Sequence, residues 1–179
     1  MRVAGIVAAI ILIIILTLMW FMGVFQRIEV NAIETGPMKM VYLEHTGSYD
    51  KIAEKINQVK LYLDKQKIAV SDAFGEYYDA PQKVKTEDLR STGGFLVNRD
   101  IQPEMPYKFK GIDRKLYASA VFIGSPAVGP FMVYPKLMKW IEKNHYKIDG
   151  AAIELYKMTE DKMEIHYMIP IKPNPNKSK

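Results

Sequence analysis

Glu154 and Tyr156 stand two apart in "GAAIELYK", residues 150–157, a stretch whose apolar pattern reads as a β-strand. Side chains alternate along a strand, so Glu154 and Tyr156 share one face while Ile153 and Leu155 share the other. A carboxylate on a buried strand costs several kcal/mol unless it is paired or neutralised. A buried one can serve as the counter-charge of a cation, or as a general base whose affinity for protons is raised by burial. Glu154 could also lie at a wet strand end, or pair with Lys157 or Arg114, and these readings stay open. A sister stretch, "AFGEYYD", offers Glu76 and Tyr78 at the same spacing.

Other chemistry finds little footing. The chain has no cysteine, which excludes disulfides, thiolate metal sites and a cysteine nucleophile. His45, His145 and His166 lack the H-x-x-x-H or H-x-x-E-H spacing of a zinc site. "GSPAVGPF" lacks the Lys-Ser/Thr pair of a phosphate loop, and "HTGSYD" has no nucleophile elbow around Ser48. No metal and no cofactor is therefore expected. The formal charge is +5, but Lys51, Lys55, Lys60, Lys65 and Lys67 alternate with Asp50, Glu54 and Asp64, a solvated face and no nucleic-acid stripe.

The positioning elements follow from periodicity. Val3 to Phe25 carries no charge and, as one helix, would rise roughly 34 Å, the length of a bilayer crossing. Trp20 and Phe21 would sit in an interfacial belt, and the bulky end argues against a cleaved signal. A single-pass membrane protein is expected. Arg2 balances Arg27 and Lys39, so the side of the membrane is undetermined. Residues 26–37 read as a connection to the strand "MKMVYLEH". Ser48 then caps a helix over 49–66 with the stripe Ile52, Ile56, Val59 and Leu63. "DAFGEYYDAP" and "LRSTGGFLVN" follow as strands, with Gly93 and Gly94 marking a bulge or close backbone approach.

The order then repeats. "KLYASAVFIGS" is a strand ending in Gly124-Ser125 as the first ends in Gly47-Ser48, and a helix with the stripe Val133, Leu137, Trp140 and Ile141 is capped by a left-handed Asn144. "GAAIELYK" and "MEIHYMIPI" close the unit around a turn at Thr159, Glu160 and Asp161. Aligning the halves sets Glu76 over Glu154 and Tyr78 over Tyr156. The fold class expected is α+β, a pseudo-twofold tandem strand-helix-strand-strand repeat preceded by one transmembrane helix. Ile153 and Leu155 would pack under the helices, and Glu154 and Tyr156 would face a cleft on the opposite side.

The pieces "VYLEHTGSYDKI", "GEYYDAP", "LRSTGGFLV", "AVFIGS", "YPKLMKWIEKNHYKIDG" and "IELY", in this order, resemble the GyrI-like (gyrase-inhibitor-like) effector-binding family. The resemblance implies a GyrI-like small-molecule-binding domain, placed over 28–172, between the anchor, residues 1–27, that the apolar run predicts and the tail over 173–179 that reads as a disordered basic end. It also implies that Glu154 and Tyr156, as the family's "E-x-Y" strand, meet a cationic, often aromatic ligand, with Tyr78, Tyr42, Tyr117 and Phe95 as further walls. The expected role is a membrane-anchored sensor or scavenger of amphipathic organic cations. Two alternatives accompany it: a hydrolase of reactive cyclopropane compounds using Glu154, and a membrane-tethered protein-interaction module without a small ligand. No helix-turn-helix precedes the domain, so no nucleic acid is expected as partner.

Overall fold

The computed structural model describes residues 2–159 and 163–175, with side chains from Gly5 onward. Its helices are α1 (Arg2–Phe21), α2 (Ile52–Lys65) and α3 (Gly129–Lys143). Its strands are β1 (Val30–Thr35), β2 (Met38–Thr46), β3 (Val70–Tyr77), β4 (Arg90–Val97), β5 (Lys108–Ile112), β6 (Lys115–Ile123), β7 (Tyr146–Ile148), β8 (Ala152–Met158) and β9 (Met163–Pro173). They form an antiparallel sheet in the order β1-β6-β9-β8-β3-β4-β2-β5, with β7 pairing the end of β9. The fold is α+β. Two units, β2-α2-β3-β4 and β6-α3-β8-β9, meet where β3 pairs β8.

Register assigns every side chain to a face. Gly75 pairs Glu154, Tyr77 pairs Ala152, and Glu154 pairs Tyr167. Tyr167 packs with Val133, Leu137 and Ile141 of α3, so the whole Tyr77, Glu154, Tyr156 and Tyr167 set faces the helices. Val59 and Leu63 of α2 pack on the same face of the other unit, against Val41, Leu43 and Val97. The fully buried aliphatic anchors Val59, Leu63, Val133 and Leu137 each contribute roughly 1.5–3 kcal/mol by leaving water. Ile153 lies on the other face, with Met40, Phe74 and Met168. This reverses the expected sides of the Glu154 strand.

Among the described residues no helix covers that other face, yet Met40 and Phe74 are fully buried on it. The chain explains how. Gly36-Pro37 joins β1 to β2 and Asp113-Arg114 joins β5 to β6, so two short links draw opposite ends of the strand order together. The sheet must curl away from the helices, and its concave face closes over a second apolar cluster that also contains Met38 and Tyr117.

Several local expectations are corrected. Residues 30–35 are not connection but strand, paired with β6 through Val30–Ala120 and Thr35–Lys115. Ser48 makes no side-chain cap bond, and a short 3-10 turn over Tyr49–Lys51 leads into α2 instead. The left-handed residue after α3 is His145, not Asn144. Gly94 does mark a close approach, since a Cβ there would lie 1.9 Å from the Val41 carbonyl oxygen. Pro173, expected in the tail, ends β9 opposite Tyr146. Glu160 and Asp161 of the expected turn, and residues 176–179 of the expected tail, lie outside the described residues.

The membrane span is also corrected. Among the described residues no helix is long and apolar enough to cross a membrane. The helix stops at Phe21, and Gly23, at φ +83°, turns the chain. Ser125 N–H then donates to the Met22 carbonyl, and Ile123 N–H donates to the Gln26 side chain. The last residues of the expected span thus dock on the end of β6. The single-pass membrane placement therefore falls. The helix is apolar and exposed, with Trp20 and Phe21 open to solvent.

Candidate functional site

Glu154 is only 5 % exposed. Strand β8 carries it at the seam of the two units, and α3 lies above it. Its Oε1 accepts a hydrogen bond from Tyr134 Oη of α3 at 2.8 Å, and its Oε2 accepts one from Tyr156 Oη at 2.9 Å. The Tyr156 hydroxyl also meets Tyr77 Oη at 2.7 Å. Tyr49, from the turn before α2, packs edge-on against Tyr77, and Tyr134 packs edge-on against Tyr167. Five tyrosines thus enclose one carboxylate.

No cation pairs with Glu154 among the described residues, and Lys157 turns to Asp72 at 3.9 Å. Burial pushes the Glu154 carboxyl up to about 7, although the Tyr134 and Tyr156 hydroxyls pull it down. Desolvation and the Glu154 charge push the Tyr134 and Tyr156 phenols far above their ordinary value, so both remain hydrogen-bond donors. Beside them the Tyr167 hydroxyl is buried without a hydrogen-bond partner among the described residues. A Cβ on Gly129 would come within 2.1 Å of that hydroxyl, so glycine at the start of α3 lets the ring fit. Tyrosines occupy the space above Glu154 where an open concavity is expected from the sequence, and the carboxylate is nearly sealed.

The expected site residues separate onto two faces. Glu154 and Tyr156 belong to the tyrosine cluster, and Phe95 lies on the same face but packs under α2 with Val41 and Val59. Tyr42, Tyr78 and Tyr117 lie on the concave face, around Glu76. There Glu76 Oε2 accepts from Tyr78 Oη at 2.6 Å and Thr92 Oγ1 at 3.0 Å, and it pairs with Lys110 Nζ. The Lys110 ammonium also lies 4.7 Å from the Tyr42 ring centre. Glu76 has its cation in Lys110, and Glu154 has none among the described residues. They are not equivalents, for they lie on opposite faces of the sheet: across the seam Glu154 pairs Gly75 and Tyr156 pairs Ala73, and Tyr77, two residues on from Gly75, shares the face of Glu154 and Tyr156.

Tyr134, Tyr77, Tyr49 and Tyr167 were not among the expected site residues. Tyr77 was legible, since shifting the alignment of the halves by one residue sets it over Tyr156. Tyr134 borders the Val133–Leu137 stripe and carried no signal of its own.

A family model for the GyrI-like small molecule binding domain matches residues 28–172. The chain belongs to this family. No functionally curated sequence matches it. Among solved structures, this GyrI-like chain superposes on the EcmrR C-terminal domain with a TM-score of 0.71 at 15% identity, covering 83% of this chain and 99% of that one. EcmrR in a complex with DNA gives 0.70 at 15% identity over 82% of this chain, which spans only 58% of that longer protein. SAV2435, solved bound to tetraphenylphosphonium, gives 0.57 at 13% identity, covering 80% and 94% of the two chains. At such identities the likeness is one of fold.

Proposed function

We propose that this GyrI-like domain, residues 28–172, binds amphipathic organic cations, preferably aromatic ones, with Glu154 as counter-charge and the surrounding tyrosines as walls. One observation carries the reading: a carboxylate nine-tenths buried, held by two neutral hydroxyls and paired with no cation among the described residues. A protein pays several kcal/mol for such a group, and an incoming cation with apolar flanks would recover that cost while aromatic faces add cation–π attraction. SAV2435 was solved with a ligand of this kind, tetraphenylphosphonium. Tyr134 covers the carboxylate, so binding requires that ring and the first turns of α3 to move aside. Nucleic acid is no part of this reading. Lysines of the α2 region are already matched along the helix, Lys51 by Glu54 and Lys60 by Asp64.

The test compares two ions of one shape and opposite charge. Tetraphenylphosphonium should bind and quench tyrosine fluorescence, tetraphenylborate should not, and Glu154→Gln should weaken the cation by about 1.5 to 3 kcal/mol, the range for a charge-assisted contact. Equal binding of both ions would refute the reading.

A hydrolytic role is favoured by one feature, the Glu154 carboxyl raised to about 7, where a general base works best at neutral pH. Incubation with a cyclopropane-bearing alkylator distinguishes the two. A binder returns it unchanged, and a hydrolase yields the water adduct with repeated turnover that Glu154→Gln abolishes.

A further inference from the structure

The concave face holds a cavity of about 350 Å³, walled by Glu76, Lys110, Asp113, Lys115, Tyr117 and Ile153 among others. It lies on the opposite side of the sheet from Glu154, at the place where the Asp113-Arg114 link crosses from β5 to β6. Its lining mixes charge of both signs. Lys110 is matched by Glu76, whereas Asp113 and Lys115 at the rim form no ion pair with each other or with any other described residue.

Two polar atoms at the cavity lack protein partners among the described residues. Tyr117 is 1 % exposed, yet its hydroxyl makes no hydrogen bond among the described residues. Glu76 accepts its three donors on Oε2, leaving Oε1 free for another. Neither atom is among the sealed, unpartnered ones, so both open on the cavity, and a ligand entering it can meet the donor and the acceptor together. The apolar part of the wall is Ile112, Ile153 and the buried Pro170.

From this arrangement we infer that the concave-face cavity is a second binding site, for a small zwitterion of free amino-acid type. The ligand's ammonium faces Glu76 Oε1 and Asp113, its carboxylate faces Lys115 and the Tyr117 hydroxyl, and its side chain lies on Ile112, Ile153 and Pro170. The lining counts two carboxylates, Glu76 and Asp113, and two ammonium groups, Lys110 and Lys115, hence no net charge. That balance favours a dipolar ligand over a simple anion or cation. The site is independent of the Glu154 reading.

Calorimetric titration of the full chain with free phenylalanine and free leucine tests it, alongside N-acetylphenylalanine, which lacks the ammonium, and phenylalanine amide, which lacks the carboxylate. At least one free amino acid should bind at millimolar concentration or tighter, and its blocked forms should bind about tenfold more weakly or not at all. Lys115→Met, at the exposed rim, and Tyr117→Phe should each weaken binding about fivefold, with the melting transition retained. Glu154→Gln should leave it unchanged. The inference is overturned if neither free amino acid binds, if the blocked forms bind equally well, or if binding survives Lys115→Met and Tyr117→Phe but is lost in Glu154→Gln.

Discussion

At the scale of single residues, Glu154 couples the fold to pH. Its carboxyl, raised to about 7 by burial, compares with an ordinary value of about 4.3. Between those values the folded chain keeps a proton that the unfolded chain releases. This contribution to stability is fully present below about pH 4.3, is lost as pH rises through about 7, and is on the order of 4 kcal/mol. Glu154→Gln, which cannot ionise, should flatten that part of the profile and melt higher than the parent at pH 8, as scanning calorimetry would show. A parent whose stability rises between pH 5 and 7 with no change in the variant would contradict the assignment. The importance of Glu154 was legible because a carboxylate amid Ile153, Leu155 and Tyr156 is out of place on a strand. Its partners were not, because Tyr134 reaches it from a helix twenty residues earlier, a relation that no local pattern encodes.

Among the elements, register decided what could be read. Strand and helix types followed from periodicity, and the strand-helix-strand-strand order is present in both units. The alignment of the halves was off by one residue, and a one-residue slip in a strand transfers every side chain to the other face. That single slip placed Tyr78 with Tyr156 and hid Tyr77. Strands β1 and β5 were missed because "VNAIET" and "KFKGI" are short edge segments with most side chains exposed or half-buried, so tertiary pairing alone defines them. Two glycines probe the packing. Gly94→Ala would push a Cβ against the Val41 carbonyl, which is backbone in a central ladder, and should cost at least about 3 kcal/mol in denaturant unfolding. Gly75→Ala meets the tip of the Tyr77 ring 2.6 Å away, which can swing. It should cost less, about 1 kcal/mol, while disturbing the Tyr77–Tyr156 contact and hence cation affinity.

On the scale of the whole molecule, the curled sheet separates two chemistries: a tyrosine-enclosed carboxylate beneath the helices, and a matched Glu76–Lys110 pair in the concavity. The N-terminal segment belongs partly to this body. Ile28 is buried in the α3 core, and Met22 and Gln26 hold the end of β6. A chain starting at Met22 should therefore melt as cooperatively as the full chain, whereas one starting at Glu29 should lose about 2 kcal/mol from the bare core contact. Equal melting of the two would show that the docked segment contributes nothing. The central claim, that ionised Glu154 recognises a cation, is tested most directly by tetraphenylphosphonium affinity measured across pH. The association constant should rise about tenfold per pH unit below 7, level off above it, and become independent of pH in Glu154→Gln. An affinity that is flat with pH in the parent, or a slope unchanged by the substitution, would contradict it.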